Sequence, residues 1–415
     1  MYLKLLLTSF TLTFSICSFS QENNKAFAIT GSASGDFQWM NIRQIDLATG
    51  AVTKNIFEKG VTNFQLRNAA TGKDINLPTI EGNQLNTSEH PTATMVAAAA
   101  YDKRNNKLFF TPMFINELRW LDLSSDIKNL KFYSLRSPIL NIGITKDEAN
   151  NITRMTIGAD GNGYALTNDG NHLIKFTTGK KIVITDLGAL LDAPENKQLS
   201  VHNKCSSWGG DIIADASGNL YLFTATKNVF KISLENKIAA YVGSITGLSG
   251  TYTLNGAAVG DDENVIISSA NTFEGFYKVN MKDLSATKLN TAGPVFNASD
   301  LANGNLLFAS EARNAVGAAP LIHREVIGNQ FISIFPNPVF GSQFKVTFDN
   351  KATGDYQIIL TDVQGKVLMT RNVFVRAAGQ VETINLRSKP SNGIYMIKVT
   401  NADKNSVFSD KIVFQ

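Results

Sequence analysis

The sequence is poor in the residues that build disulfide scaffolds, metal clusters and charged tails. Its 415 residues include only two cysteines and four histidines. Charged residues make up 18%, and 39 Lys and Arg against 35 Asp and Glu leave a net charge of +4. These values exclude a disulfide mini-domain and a cysteine-ligated cluster, and they argue against nucleic-acid binding, which needs a strong basic patch. The length and the 43% hydrophobic content predict two or three globular domains.

Residues 1–20 have the pattern of a secretory signal peptide. Lys4 is positive, an apolar stretch runs from Leu5 to Cys17, and small residues precede the expected cleavage before Gln21. The stretch is shorter than the roughly 18 residues that a membrane-spanning helix needs. The alternatives are an N-terminal anchor or core strand, and a lipoprotein acylated at Cys17. After cleavage only Cys205 remains, so we expect no intrachain disulfide and no transmembrane segment.

Residues 332–415 read as a small β-sandwich, joined to the rest by a linker at 326–331. Apolar and polar residues alternate over 344–348, 356–360 and 395–399, which is the period of strands with one buried face. The segment 362–365 between two of these strands reads Asp-Val-Gln-Gly. Asp can bond its own backbone there and Gly accepts a positive φ, so this segment predicts a hairpin turn. About seven short strands suit a β-sandwich.

This segment resembles the type A C-terminal sorting domain of the type IX secretion system. Three blocks carry the resemblance in order, at 334–338, 360–367 and 390–399, and 411–413 also fits. The positions that match the family's motifs are Pro336, Asn337, Pro338, Asp362, Gly365, Gly393, Tyr395 and Lys411. An Ig-like adhesion module without a targeting role is the alternative.

The resemblance implies a route out of the cell. The signal peptide would direct export across the inner membrane of a Gram-negative bacterium, and the C-terminal domain would then direct passage across the outer membrane. The type IX machinery would therefore be a partner, and the protein would be secreted or held on the outer surface. The family leaves open whether the cargo is released or attached to lipopolysaccharide, and it implies nothing about the activity of the cargo.

Residues 21–325 contain a recurring unit. Each copy has a strand of small residues, a turn rich in Asp, Asn and Gly, an apolar strand, a polar loop and an alternating strand. Four aspartates anchor the turns, 58, 55 and 46 residues apart: Asp102, Asp160, Asp215 and Asp261. Repeats of this length with several strands are typical of a β-propeller. Its inner strands line a crowded axis and need small side chains, which 97–100, 209–210 and 256–257 provide.

The two ends of the repeat region read as halves of one blade. We predict its first and second strands within 297–310 and its second, third and fourth strands within 25–57, because pairing the ends removes free strand edges. The count is five blades, or six if 297–310 is a partial blade of its own, and we favour six. Residues 59–93 are predicted to be a long loop or an extra hairpin, and 188–207 a long connection. A β-helix and an array of β-sandwiches fit the recurring small-residue strand less well.

Motifs for catalysis and metal binding are scarce. The histidines are His90, His172, His202 and His323. None lies in a zinc-binding pair, and the sequence has no phosphate loop and no serine nucleophile elbow. Cys205 and His202 are close in sequence, but we favour an ordinary loop over a nucleophile pair. The acidic turns have too few oxygen ligands in sequence for a Ca²⁺ loop, so we interpret them as hairpin turns and expect no metal and no cofactor.

The mouth of the central channel is the predicted binding site. Loops on one face of a propeller converge there, and the residues just before each inner strand reach it. The predicted residues are His90, Arg154, Trp208, Asn255 and Asn297. Such side chains suit a sugar or a peptide, through stacking and hydrogen bonds. We expect no paired carboxylates near the mouth, so acid–base glycoside hydrolysis is not predicted.

The sequence therefore predicts an exported protein whose propeller binds a glycan, a peptide or a surface partner without catalysis. One alternative is a hydrolase or lyase with a metal held in the channel. The other is a purely structural component of the cell surface.

Overall fold

The computed structural model describes residues 24–75, 90–143, 146–291, 293–315, 332–348, 353–362, 365–377, 379–386, 388–403 and 406–415. The predicted signal peptide at 1–20 and the predicted linker at 326–331 lie outside these residues. The chain divides into two compact units, Met1–Ala319 and Pro320–Gln415.

The first unit is almost entirely strand. Its strands are β1 (Lys25–Thr30), β2 (Asn41–Asp46), β3 (Val52–Phe57), β4 (Phe64–Asn68), β5 (Val96–Asp102), β6 (Lys107–Pro112), β7 (Glu117–Asp122), β8 (Leu130–Arg136), β9 (Ile152–Ile157), β10 (Gly163–Thr167), β11 (Leu173–Phe176), β12 (Ile184–Asp186), β13 (Leu191–Asp192), β14 (Asp211–Ala214), β15 (Asn219–Phe223), β16 (Asn228–Ser233), β17 (Ile238–Ser244), β18 (Gly256–Val259), β19 (Val265–Ser268), β20 (Tyr277–Val279), β21 (Ala286–Lys288) and β22 (Ala298–Ala302).

Short helices occur only in connections of the described chain. The α-helices are α1 (Lys204–Ser207) and α2 (Ala309–Ala315), and the 3₁₀ turns are Pro138–Leu140, Glu148–Asn150 and Pro194–Asn196. No helix among the described residues has the length and apolar character to cross a bilayer.

The strands form five blade-like sheets around an axis. From the axis outward, blade 1 is β22-β1-β2-β3, blade 2 is β5-β6-β7-β8-β4, blade 3 is β9-β10-β11-β12, blade 4 is β14-β15-β16-β17-β13 and blade 5 is β18-β19-β20-β21. The inner strands contact one another in ring order, and β18 contacts β22, which closes the circle. The first unit is thus a five-bladed β-propeller.

The core of the propeller lies between blades. The buried apolar residues form five clusters, and each cluster draws on two neighbouring blades. Phe109 of blade 2, for example, meets Phe176 of blade 3 with ring centroids 5.2 Å apart. A blade therefore buries both faces only when both neighbours are in place, and truncating one such phenylalanine to Ala costs about 3–5 kcal/mol.

Small residues are required where inner strands converge. A Cβ added to Gly256 of blade 5 would lie 2.7 Å from the amide nitrogen of Leu301 in blade 1. Gly210, just before β14, has φ +88°, and a Cβ there would lie 1.8 Å from the carbonyl oxygen of Phe223. A small residue is therefore a steric requirement at Gly256, where two blades meet, and at Gly210, within blade 4.

The ring closes within blade 1, and the favoured count of six blades is wrong. β22 pairs antiparallel with β1, with Ala28 opposite Leu301. The composite blade predicted from the two ends is confirmed, since 25–57 supply its second, third and fourth strands and 297–310 supply its inner strand. The second strand that was also predicted within 297–310 is absent, because β1 occupies that position. The segment is not a separate blade.

Both connections that fit no blade add a strand to an outer edge. β4, within 59–93, pairs parallel with β8. β13, within 188–207, pairs parallel with β17. These additions cover edges that would otherwise expose unpaired backbone groups.

The second unit is a two-sheet β-sandwich. Its strands are β23 (Ile332–Phe335), β24 (Gln343–Phe348), β25 (Gly354–Asp362), β26 (Val367–Val375), β27 (Gln380–Asn385), β28 (Gly393–Asn401) and β29 (Ser406–Phe414). One sheet is β23-β24-β27 and the other is β26-β25-β28-β29. The predicted alternation is confirmed at its buried positions, since Phe344, Ile358 and Ile397 lie in one core cluster.

A designed crosslink tests the composite blade. In a Cys205→Ser background, Ala28→Cys with Leu301→Cys places two cysteines at paired positions of β1 and β22, a spacing that suits a disulfide. Oxidation should give an intramolecular bond and raise the free energy of unfolding by about 2–4 kcal/mol over the reduced form. All three tryptophans lie in the propeller, so their fluorescence in urea reports this unit. Failure of the monomer to form the bond would contradict closure through blade 1.

Candidate functional site

The inner strands of all five blades begin at the same face, here called the mouth face. The loop between the second and third strand of each blade also lies there, because strands alternate in direction within a blade. Hydrogen bonds join these loops across every pair of neighbouring blades. They are Val96 N to Trp39 O (3.0 Å), Phe114 N to Asn151 Oδ1 (2.6 Å), Gly209 N to Asn168 Oδ1 (2.7 Å), Leu254 N to Ala225 O (3.2 Å) and Asn297 Nδ2 to Ala270 O (2.7 Å).

The two asparagines predicted at the mouth have structural partners. Asn297 is buried, and its Nδ2 donates to the Ala270 carbonyl, so it ties blade 1 to blade 5. Asn255 Oδ1 accepts the Ala270 amide at 2.9 Å and the Thr253 hydroxyl at 3.2 Å. Both amides therefore hold loops, and Asn255 keeps only partial exposure.

Arg154, which was predicted to contact a ligand at the mouth, is not accessible there. Its side chain is wholly buried. Its guanidinium nitrogens donate to four backbone carbonyls, those of Thr167, Asn168, Ser207 and Gly209, at 2.5–3.2 Å. Five such bonds use the five N–H groups that a guanidinium offers, so none is left for a ligand. Arg154 joins blade 3 to the loop that enters blade 4.

His90 and Trp208 are the predicted residues with partial exposure in addition to Asn255. The Trp208 Nε1 donates to the His202 carbonyl at 3.2 Å, and the Lys204 ammonium lies 4.9 Å from its ring centre. The carbonyl of His90 accepts from the Arg119 guanidinium at 3.4 Å. These two side chains lie on different blades, and both remain candidates for a ligand at the mouth.

The predicted loop at 200–211 contains no organised Cys–His pair. Cys205 is exposed and free. The ring nitrogens of His202 face backbone carbonyls instead, Nδ1 that of Asp169 at 2.8 Å and Nε2 that of Leu190 at 3.2 Å. The favoured interpretation as an ordinary loop thus agrees with the geometry.

Two aspartates meet on the axis, which the sequence analysis did not anticipate. Asp211 begins the inner strand of blade 4, and Asp300 lies within the inner strand of blade 1. Both are wholly buried. The Asp211 oxygens accept the amides of Ile212 and Ala257, each at 2.7 Å. The carboxylate thereby satisfies inward-pointing amides of blades 4 and 5, which have no further strand to pair with.

The charges of this pair are set by burial. Burial raises the pKa of Asp211 well above its usual value, although its backbone hydrogen bonds and Arg154 oppose the shift. Burial also raises the pKa of Asp300, and the Asp211 charge raises it further. The Ala99 amide lies close to Asp300, but neither Asp300 oxygen receives a hydrogen bond of ordinary geometry. Arg154, whose charge opposes the shift at Asp211, has its own pKa lowered by burial to about 10.

The expectation of no paired carboxylates near the mouth is therefore wrong, yet the pair is not an accessible acid and base. Arg154, Asp211 and Asp300 each have 0% exposure. Among the described residues, no three His, Cys, Asp or Glu side chains converge to hold a metal.

An open groove lies on the mouth face at the outer edge of blade 2. Its cavity of about 520 Å³ is lined by Phe114, Ile115, Asn116, Glu117, Arg136, Ser137, Pro138 and Asn141. We call it the Arg136 groove. The register that pairs Glu117 with Arg136 across β7 and β8 creates its charged wall. Glu117 and Arg119, two residues apart on one strand, could be recognised in the sequence as a charged pair on one face. The strand that supplies Arg136, and its register, could not be recognised there.

The sorting-motif positions of the second unit have defined roles. The Asn337 side chain donates from Nδ2 to the Lys411 carbonyl at 2.9 Å, and its Oδ1 accepts the Val413 amide at 2.8 Å. Asn337, which lies between Pro336 and Pro338, thus holds the last strand, β29, in place. Asp362 Oδ1 accepts the Lys366 amide at 2.9 Å, and Gly365 has φ +87°. The Tyr395 hydroxyl donates to the Ser391 carbonyl at 2.9 Å, near Gly393.

Residues 333–415 match the family model described as "Secretion system C-terminal sorting domain". This unit is a type IX sorting domain. Its presence means that the protein is secreted or displayed on the surface of a Gram-negative (Bacteroidetes) bacterium. The match covers about a fifth of the chain, and no curated protein matches the chain.

Three solved structures are similar to the chain at low sequence identity. PorZ, an essential surface component of the type IX system of Porphyromonas gingivalis, is 12% identical with a TM-score of 0.32, over 94% of this chain and 51% of that chain. The present chain thus spans about half the length of PorZ. A streptogramin B lyase is 11% identical over 69% of this chain and 89% of that chain, with a TM-score of 0.36. Virginiamycin B lyase from Staphylococcus aureus is 12% identical over 94% and 96%, with a TM-score of 0.34. At these values the likenesses indicate nothing about activity.

Asp300→Asn tests the shared proton on the axis. The folded protein keeps a proton on Asp300 that the unfolded chain releases above pH 3.8, so its stability should fall as the pH rises from there towards neutrality. The amide cannot ionise, so the variant should gain stability over the wild type at pH 7 and lose this advantage near pH 4. Urea midpoints from tryptophan fluorescence at both pH values measure the difference.

The matched control is Asp261→Asn, which removes an exposed carboxylate in a turn of blade 5. It should change stability by less than about 0.5 kcal/mol. An Asp300→Asn variant that is equally destabilised at pH 4 and pH 7 would contradict a protonated Asp300.

Proposed function

We propose that the propeller is a non-catalytic binding domain, delivered outside the cell by the sorting domain, and that it binds a glycan, a peptide or a surface partner through its mouth face. The observation that carries this proposal is a contrast in access. Three ionisable groups of the inner strands, Arg154, Asp211 and Asp300, are wholly buried, whereas the mouth face carries an open groove and partly exposed His90 and Trp208.

Catalysis of hydrolysis needs an acid, base or nucleophile that a substrate can reach. On the axis, Asp211 and Asp300 are the titratable pair with strongly raised pKa values, and neither is reachable from solvent. In the loop that precedes blade 4, the ring of His202 is held by carbonyls. These contacts favour recognition over turnover at the mouth.

A ligand array tests the binding function. The purified chain from residue 21 onward is applied to neutral glycans, acidic glycans and peptides, and at least one class should bind with micromolar or better affinity. Trp208→Ala should weaken a ligand seated at the mouth by roughly 10-fold, as expected for loss of a stacking side chain, whereas Trp208→Phe should retain most of the binding. Absence of binding to every class would refute the proposed function. Unchanged affinity in Trp208→Ala would exclude only the mouth of the central channel as the binding site and would leave the proposed binding function intact.

Deletion of residues 332–415 tests the assignment of the sorting domain in the cell. The propeller has its own core, so the shortened chain should fold after crossing the inner membrane and accumulate in the periplasm. Fractionation and immunoblotting measure its location, with equal total amounts of the two chains as the control. Undiminished levels of the shortened chain on the surface or in the medium would contradict the assignment.

A further inference from the structure

We propose that the Arg136 groove binds a carboxylated sugar, such as a uronic acid unit of a glycan. This inference rests on the proposed binding function and names its site and ligand class. It is independent of the mouth residues predicted from the sequence, none of which lines the groove.

The arginine of the groove is held by a buried carboxylate. Glu117 is 5% exposed, and its Oε1 accepts the Arg136 Nε at 2.6 Å. Its Oε2 accepts Nε and Nη2 of Arg119, at 2.9 and 2.7 Å, and the Ser134 hydroxyl at 2.7 Å. Burial raises the pKa of Glu117, but these arginines and Ser134 more than offset it and hold the pKa below its usual value. Glu117 is therefore a fixed anion at neutral pH.

This arrangement leaves the outer end of Arg136 pointing away from its anchor. Only Nε contacts Glu117, and the Arg136 side chain is 84% exposed. The terminal Nη1 and Nη2 groups form a planar donor pair that suits the two oxygens of a carboxylate. The network has a second buried arginine, Arg119, which balances Glu117. Arg136 thus brings a positive charge to the groove beyond the one that Glu117 needs.

The rest of the groove suits a sugar ring. Phe114 is 37% exposed with φ +62°, an uncommon conformation for a bulky residue, and its amide is held by Asn151 at 2.6 Å. The loop therefore presents an aromatic face to solvent at a conformational cost. Across the groove, Asn116 Nδ2 donates to Asn141 Oδ1 at 3.2 Å, and the remaining donors and acceptor of these amides can bond hydroxyls. A carboxylate reader, an aromatic face and amides together match an acidic sugar.

Calorimetry with matched ligands tests the charge. The probe is an oligogalacturonate, and its methyl ester keeps the rings and hydroxyls but removes the anion. The acid should bind, and the ester should bind roughly 10- to 100-fold more weakly, as expected for the loss of a hydrogen-bonded charge. Equal binding of acid and ester would overturn the inference and leave the proposed function intact.

Three substitutions test whether the ligand binds in the Arg136 groove. Arg136→Gln should weaken the oligogalacturonate by roughly 10- to 100-fold, and Phe114→Ala should weaken acid and ester alike. Arg67→Gln is the matched control, because Arg67 is also on blade 2 and is also held through Nε by a carboxylate, Asp74 at 2.9 Å, but lies outside the groove. It should bind as the wild type does. Equal losses in Arg136→Gln and Arg67→Gln would overturn the site.

An acidic peptide completes the test of ligand class. Binding of the peptide through Arg136, with no binding of the oligogalacturonate, would overturn the sugar and preserve the proposed function. Binding of some other array ligand without dependence on Arg136 would do the same. Absence of binding to every ligand on the array would overturn both.

Discussion

The propeller depends on burial that no single blade can achieve. Each inter-blade cluster draws its apolar side chains from two sheets, so the free energy of packing is realised only when the ring is complete. Pairing β22 with β1 completes it, and it also removes the two strand edges that an open ring would expose. The chain has a single cysteine beyond residue 17, so packing and strand pairing replace the disulfides on which many exported domains rely.

Closure around a narrow axis explains why polar residues there are structural. Inner strands have no further strand to pair with, so the amides of Ile212 and Ala257 need other acceptors, and the Asp211 carboxylate supplies them. Burial raises the pKa of both Asp211 and Asp300, and the charge of Arg154 opposes the shift at Asp211. The proposed binding function is therefore assigned to the loops and the rim of the mouth face, where side chains remain exposed and the blades hold them in place.

The sequence predicts much of this architecture because repetition and turn chemistry are local. Asp102, Asp160, Asp215 and Asp261 mark the repeats, and the alternating residues of β24, β25 and β28 mark the sandwich. The pairing of the two ends in one blade was predicted, but the favoured count of six treated 297–310 as a further blade of its own. Local pattern does not show that β22 has no partners besides β1, which lies about 270 residues away in the sequence. The pairing of Asp211 with Asp300 and the register of Glu117 with Arg136 are also long-range properties. Arg154 was misassigned because position before an inner strand does not determine which way a side chain points.

Hydrogen–deuterium exchange mass spectrometry of the inner strands tests the closed axis most directly. If the ring is complete and its centre is dry, peptides that cover β14 and β18 should exchange only through global unfolding and be among the slowest in the propeller. The short outer strand β21 of the same ring serves as the comparison, and it should exchange much faster. Exchange of β14 and β18 at the rate of β21 would contradict a closed ring.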